Sequence, residues 1–286
     1  MTAALVEQAP AKINLTLRVI GRRADGYHEL ESVVVFAACG DTLTLHQDQS
    51  VGLAITGPYA GACGAVADNL VLKAVTALRA RVPDLKAGQF VLNKNLPVAA
   101  GIGGGSSDAA AALRLTARLN GLALDDPRLA AAALVVGADV PVCLDPRARI
   151  MRGVGEQLSA PIGMPKLNAV LVNPGVPLAT RDVFARLSLA QLGSAPLAAV
   201  PENADAIFDY LAAHGNDLTD AAIACALAVS EVLNALAALP GVRLARMSGS
   251  GSTCFALFSS AADASAAASR LQAARPAWWV TATTLG

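Results

Sequence analysis

The sequence predicts a fold of mixed strands and helices in two parts, and three observations carry that expectation. A chain of 286 residues suits one large domain or two modest ones and can bury a sizeable core. Several short stretches alternate apolar and polar residues at period two, as half-buried strands do. Alanine-rich stretches with apolar residues at helical spacing lie between them, opened by Asp or Asn and closed by Gly or Pro. One full set of strands and helices is complete before Gly155, so the expected boundary falls there, between residues 1–155 and 156–286.

The first expected strand covers residues 13–19, where Ile13, Leu15, Leu17 and Val19 alternate with Asn14, Thr16 and Arg18. A polar turn with glycine at both ends, Gly21 and Gly26, leads through Tyr27 and His28 to a second strand at 31–36. Further strands are expected at 42–46 and 52–55. A helix starts at Asn69, carries Leu72, Val75 and Leu78 on one face, and ends at Pro83. A short strand around Phe90 and Leu92 reaches Lys94 and a glycine-rich loop. The helix after that loop starts at Ser106 or Ser107 as cap and runs to Asn120, with Gly121 as its stop. Asp126 caps another, with Pro127 in its first turn and Gly137 at its end. Beyond Gly155 the expected elements are a strand at 169–172 and a short helix within 180–187. A linker at 192–201, helices at 204–214 and 219–239 and a strand at 243–247 follow. A second small-residue loop, Ser248 to Thr253, precedes a strand at 254–258, a helix at 261–274 and a last strand at 279–283.

Composition narrows the function. Formal net charge is zero, no basic block is present and only 4% of residues are aromatic, which argues against a nucleic-acid partner. The longest uncharged stretch, 49–67, is broken by four glycines and a proline, so no membrane span is expected, and no targeting segment is visible. A soluble cytoplasmic protein is the expectation. Five scattered cysteines without a Cys-x-x-Cys pair fit reduced core thiols, and three scattered histidines suggest no metal centre.

The informative stretch is Pro97-Val98-Ala99-Ala100-Gly101-Ile102-Gly103-Gly104-Gly105-Ser106-Ser107-Asp108. Glycine tolerates positive φ and leaves no Cβ in the way, so successive N–H groups can turn toward a phosphate. The helix behind adds free donors and a partial positive charge. Taken alone, the stretch also reads as an ordinary loose turn before a helix. No Gly-Lys-Ser/Thr follows, the third glycine of the dinucleotide pattern is absent, and Asp108 stands where a hydrolase elbow needs glycine.

Pro97-x-x-x-Gly-x-Gly-Gly-Gly-Ser-Ser resembles the ATP loop of the GHMP small-molecule kinases, named for galactose, homoserine, mevalonate and phosphomevalonate kinases. Pro10-Ala-Lys-Ile-Asn-Leu resembles that family's first motif and Ser248-Gly-Ser-Gly-Ser its third. Gly26-Tyr-His-Glu-Leu and Gly137-Ala-Asp-Val-Pro are similar to the branch that acts on a cytidyl-diphosphate-linked methylerythritol in the non-mevalonate route to isoprenoids. The resemblance covers essentially the whole chain. It implies an α+β fold in two domains, an N-terminal nucleotide-binding α/β domain and a C-terminal ferredoxin-like domain.

It also implies roles. ATP is expected on Pro97 through Ser107, with Asn69 and Lys94 as further nucleotide contacts. Magnesium is expected with it; Ser106 or Ser107 could touch the ion, and its ligands stay open. Asp139 matches the family's catalytic base and Lys12 its partner lysine. A positioned carboxylate accepts the alcohol proton, and an adjacent ammonium keeps that carboxylate ionised. Without the resemblance, Asp139 between a helix stop and a proline reads as a turn former. Asn14, Tyr27, His28, Thr180 and Phe184 fall where the family holds the cytidyl substrate, with two aromatic rings around the pyrimidine and His28 on its polar edge. Three departures stand out: Ile102 within the loop, Ala99-Ala100 where glycines or small residues usually sit, and Thr219 where Asn216-Asp217-Leu218 would be followed by an acid. Another sugar or mevalonate-type kinase, or a nucleotide-binding sensor without catalysis, are the alternatives.

Overall fold

A computed structural model describes residues 4–47, 50–187, 197 and 199–286, with only the backbone of 204 and 205. In chain order the elements are β1 (Leu5–Asn14), β2 (Arg18–Arg22), β3 (His28–His46), β4 (Gly52–Thr56), α1 (Leu70–Arg79) and β5 (Gln89–Asn93). Then come α2 (Gly104–Leu119), α3 (Pro127–Val136), α4 (Val140–Leu144), β6 (Arg149–Gly153), β7 (Gln157–Leu158) and β8 (Leu167–Asn173). The chain ends with α5 (Thr180–Ala185), α6 (Ala204–Ala213), α7 (Thr219–Cys225), α8 (Ala228–Ala237), β9 (Val242–Met247), β10 (Cys254–Phe258), α9 (Ala261–Ala274) and β11 (Trp279–Leu285).

These elements form two compact units that interleave along the chain. One holds residues up to Ala11, Gly40–Val98 and Gly103–Pro146; the other holds Lys12–Cys39, Ala99–Ile102 and Arg147–Gly286. The expected single boundary near Gly155 compares with a last crossing at Pro146, preceded by four earlier ones. Interleaving arises because β1 and β3 each run from one unit into the other, which a composition change along the sequence does not reveal.

In the first unit the C-terminal half of β3 pairs antiparallel with β5, and β4 adds parallel to β5. Leu43, Leu45, Phe90 and Leu92 pack against Val71 and Val75 of α1 and Ala111, Ala112 and Leu115 of α2. Alanine on α2 lets that helix lie close to its neighbours, and residues 107–117 are buried without a break. Asn69 caps α1 through its side-chain oxygen, and Asp126 caps α3.

The second unit carries β8, α8, β9, β10, α9 and β11 in the strand order β11-β8-β10-β9, every neighbour antiparallel. This is the ferredoxin-like arrangement that was expected. Val170, Val172, Cys254, Ala256 and Phe258 face Val232, Leu236, Ala264 and Leu271 in its core. The N-terminal half of β3 pairs with β2 and β6, and Leu285 of β11 meets Ala37.

Three local expectations change. The strands expected at 31–36 and 42–46 are one long strand, because Gly40 lets β3 pass against the Ala9 carbonyl, where a Cβ has no room. The alternation over 13–19 spans the end of β1, a break and the start of β2, with Asn14 and Thr16 buried as completely as their apolar neighbours. The helix expected over 219–239 is two, parted where Ala226 turns extended at φ −149° and ψ 107°. The short β6, β7 and α4 carry no signal strong enough to have been expected. The linker expected at 192–201 lies mostly outside the described residues.

Candidate active site

The glycine loop divides between the two units at the Ile102–Gly103 bond. Its first half is built by close backbone approach. Gly101 lies at φ +74°, and a Cβ there would strike the backbone of Gly251 in the second glycine loop. Thr253 N donates to the Ala100 carbonyl at 3.1 Å, and Ser248 Oγ donates to the Gly101 carbonyl at 3.3 Å. Ala99 sits at φ +54°, a conformation that costs a residue with a Cβ about 1 kcal/mol or more.

Its second half starts α2. Gly103, at φ +62°, is the cap residue, three residues before the earlier of the two expected caps, Ser106 and Ser107, and no serine caps the helix. Ser107 Oγ donates instead to the Pro10 carbonyl at 2.7 Å. The N–H groups of Gly104, Gly105 and Ser106 have no acceptor among the described residues, and neither has the Ser106 hydroxyl. Free donors at the end of a sixteen-residue helix are what an anion requires.

Behind this helix start lies a buried triad that sequence reading did not find. Lys94 Nζ, 4% exposed, donates to Asp41 Oδ2 at 2.5 Å and to Asp108 Oδ2 at 2.7 Å. Asp41 Oδ1 accepts the N–H groups of Asn95 and Leu96 at 2.6 and 2.8 Å. Asp108 Oδ1 is buried with no partner among the described residues. Burial pushes the Asp108 carboxyl up to about 7, against the pull of Lys94 and with the help of Asp41. Burial alone would lower the Lys94 ammonium, but Asp108 and Asp41 outweigh it and hold it above its ordinary value. Lys94 was expected to touch the nucleotide; its ammonium is instead committed to two carboxylates, so it braces the segment ahead of the glycine loop. Asn69, also expected there, spends its side-chain oxygen on the Val71 N–H.

The residues expected at the alcohol substrate, Asn14, Tyr27, His28, Thr180 and Phe184, all fall in the second unit together with Lys12. Lys12 is buried, and its N–H donates to the Ile102 carbonyl at 2.9 Å, which sets β1 against the glycine loop. Asn14 is 1% exposed; its Nδ2 donates to Ser32 Oγ at 2.7 Å, its backbone N–H to Ser248 Oγ at 3.1 Å, and its Oδ1 has no partner among the described residues. A buried acceptor left open costs free energy unless something donates to it. Thr180 Oγ1 lies 2.9 Å from Ser250 Oγ, tying α5 to the second glycine loop.

His28 and Phe184 stack on each other, centroids 4.9 Å apart and planes 25° from parallel, so no base fits between them. Tyr27 is 65% exposed beside them. Burial, then the nearby Arg22 charge, lowers the His28 pKa, leaving a neutral ring with one donor and one acceptor nitrogen near pH 7. Asp139 belongs to the other unit, half-buried as the residue before α4. Pro97 and Val98 precede the loop in that same unit.

Comparison with known proteins places the molecule in a class. Residues 69–145 match the GHMP kinases N terminal domain, and residues 197–277 match GHMP kinases C terminal. The chain belongs to the GHMP kinase family. It is 57% identical over 288 residues to 4-diphosphocytidyl-2-C-methyl-D-erythritol kinase of Rhodopseudomonas palustris (strain BisB5), covering 97% of each chain. The protein of the same name from Azorhizobium caulinodans is 54% identical, covering 98% of this chain and 99% of that one. A crystal structure of 4-(cytidine 5'-diphospho)-2C-methyl-D-erythritol kinase superposes with a TM-score of 0.82 at 35% identity over 99% of both chains. Homoserine kinase from Cytophaga hutchinsonii, 18% identical with a TM-score of 0.67 over 99% of this chain and 95% of that one, shares the fold. Among the described residues no helix is long and apolar enough to cross a membrane, and no group of three His, Cys, Asp or Glu could hold a metal.

Proposed function

We propose that this chain transfers the γ-phosphoryl group of ATP to the 2-hydroxyl of 4-diphosphocytidyl-2-C-methyl-D-erythritol, in the non-mevalonate route to isoprenoids. The observation that carries the reading is the likeness, at 54–57% identity over nearly the whole chain, to relatives that bear that substrate's name. The site chemistry supports it. The free N–H groups of Gly104, Gly105 and Ser106 suit a phosphate chain. The open Oδ1 of Asn14, on the strand that carries Lys12, suits a substrate hydroxyl. Tyr27 lies over the cytosine, and neutral His28, backed by Phe184, reads its polar edge; a flat base stacks on any such ring.

Asp139 is the base that takes the proton of the 2-hydroxyl as its oxygen bonds to phosphorus and ADP departs. Lys12 holds negative charge near the transferring group. Magnesium fits as a companion of the nucleotide. Mg²⁺ is commonly held by one or two protein oxygens plus phosphate, and Ser106 has a hydroxyl to offer while Ser107 has spent its own on Pro10. Bound there, the ion neutralises phosphoryl charge.

The test is a coupled ADP-release assay offering the cytidyl substrate, mevalonate, homoserine and galactose in turn. Turnover with the cytidyl substrate alone is expected; preference for another alcohol, or no release with any, overturns the reading. Asp139→Asn lowers kcat by about 10²-fold or more with ATP affinity nearly unchanged, and a wild-type rate in that variant removes Asp139 as base.

A further inference from the structure

The segment Gly215-Asn216-Asp217-Leu218 between α6 and α7 has no part in the chemistry above, yet it joins two parts of the site within one unit. Leu17 N donates to the Gly215 carbonyl at 3.0 Å, Asp217 N returns a bond to the Leu17 carbonyl at 2.9 Å, and Val19 N donates to Asp217 Oδ2 at 2.8 Å. The break between β1 and β2 is thereby closed by a piece of chain some 200 residues away. Asn216 then reaches in the other direction. Its Nδ2 donates to the carbonyls of Met247 and Gly249, at 2.9 and 2.8 Å, while its Oδ1 accepts the Leu218 N–H at 3.0 Å. Those two carbonyls flank Ser248, the residue whose hydroxyl accepts the Asn14 N–H and donates to the Gly101 carbonyl. Thr219, standing where an acid was expected, turns its hydroxyl to the Asn216 carbonyl at 2.8 Å and secures the turn.

We infer that Asn216 is a positioning residue for phosphoryl transfer: its amide clamps both sides of Ser248, so that one hydroxyl holds the strand bearing Lys12 and Asn14 in register with the first half of the glycine loop. The inference rests on the kinase reading above. Only a side chain with two donors on one nitrogen spans two carbonyls in this way. An isosteric aspartate at this position has none and faces both carbonyls with negative charge. A displacement of about 1 Å in such a register costs on the order of a hundredfold in rate.

Asn216→Asp is therefore expected to lower kcat about a hundredfold and to leave the dissociation constant for ATP within about threefold, since the free N–H groups of α2 lie in the other unit. Ser248→Ala is expected to lower kcat about tenfold, and adding it to Asn216→Asp changes little further, because both act through one hydroxyl. Ser248→Ala, the smaller change, carries the test if Asn216→Asp does not fold.

Asn120→Asp is the structural control. Asn120 makes the same three kinds of bond, to the Lys86 and Thr116 carbonyls and from the Lys86 N–H, all at 2.8 Å, at the C-terminal end of α2, the full length of that helix from the glycine loop. It is expected to lose stability and keep kcat. A wild-type kcat for Asn216→Asp, losses that multiply in the double variant, or an equal loss in Asn120→Asp overturns the inference. A wild-type chain that turns over no cytidyl substrate sinks the kinase reading instead. Hydrogen exchange at the Asn14 N–H then decides the clamp by itself: acceleration in Asn216→Asp and not in Asn120→Asp supports it, and unchanged exchange ends it.

Discussion

Replacing Asp108 by asparagine tests the buried triad directly. Two carboxylates and one ammonium lie together under the start of α2, all three less than 5% exposed. Ionised throughout, the group carries one net negative charge away from water. Asp108 bears the cost, because Asp41 is satisfied by two N–H groups and Lys94 while Asp108 Oδ1 has no donor among the described residues. A carboxyl that ionises near 7 in place, against 3.8 ordinarily, gives up about 4 kcal/mol by being charged in the fold. The sign follows from proton counting. Between those two values the folded chain holds a proton that the unfolded chain has lost, so this group's contribution is full below about pH 4 and disappears as pH rises through about 7. The amide of Asp108→Asn keeps an oxygen toward Lys94 and has nothing to ionise. Urea unfolding of both proteins between about pH 5 and 8 reads the difference. The variant is expected to gain on wild type by up to about 1.4 kcal/mol per pH unit, levelling off above about 7, with other groups cancelling. A pH-independent difference in favour of wild type would show Asp108 ionised and the pair stabilising, and the reasoning fails.

Other expectations are simpler. Gly101→Ala forces a Cβ onto the Gly251 backbone at a positive φ; a loss of about 1–3 kcal/mol in urea unfolding and weaker ATP binding are expected, and wild-type values in both would remove the close approach. Tyr27→Ala should raise KM for the cytidyl substrate about tenfold or more with no change in melting temperature, since the ring is 65% exposed; an unchanged KM removes the stacking. Because burial and Arg22 keep His28 neutral, KM for the same substrate is expected to stay flat above about pH 6.5 and to rise below it as the ring protonates. A pH-independent KM across that range takes His28 off the base.

Sequence reading succeeded where chemistry repeats over a few neighbours. The caps at Asn69 and Asp126, the apolar runs of β8 and β10, and the glycine loop ahead of α2 each announce themselves locally. It faltered where one residue answers another far away. The strands at 31–36 and 42–46 were expected as two because the Ala9 backbone against which Gly40 passes is some thirty residues distant. Lys94 was expected at the nucleotide by resemblance, and its carboxylate partners went unseen because Asp41 and Asp108 lie on other elements. Nothing marks the break at Ala226, since alanine fits a helix and an extended turn alike and no Gly or Pro stands there. Of the expected substrate residues, Asn14, His28, Thr180 and Phe184 each touch another part of the same unit, contacts that only the fold reveals.

The interleaving of the two units bears on how the chain is made. Every residue of the first unit has been synthesised once Pro146 is reached, so its sheet and four helices can assemble while translation continues. The second unit cannot close early. Its central strand β8 waits for β11, whose last residue is Leu285; β2 and the N-terminal half of β3 can pair with each other and with β6 much earlier, while Leu17 waits for Gly215 and Asp217 and Ala37 for Leu285. Translation thus completes one unit while more than a hundred of these residues are still to be added, and leaves the four-stranded sheet of the other short of β11 until Leu285 is reached. For the same reason a gene cut at residue 155 yields no self-sufficient second half, because the missing segments 12–39 and 99–102 are encoded upstream.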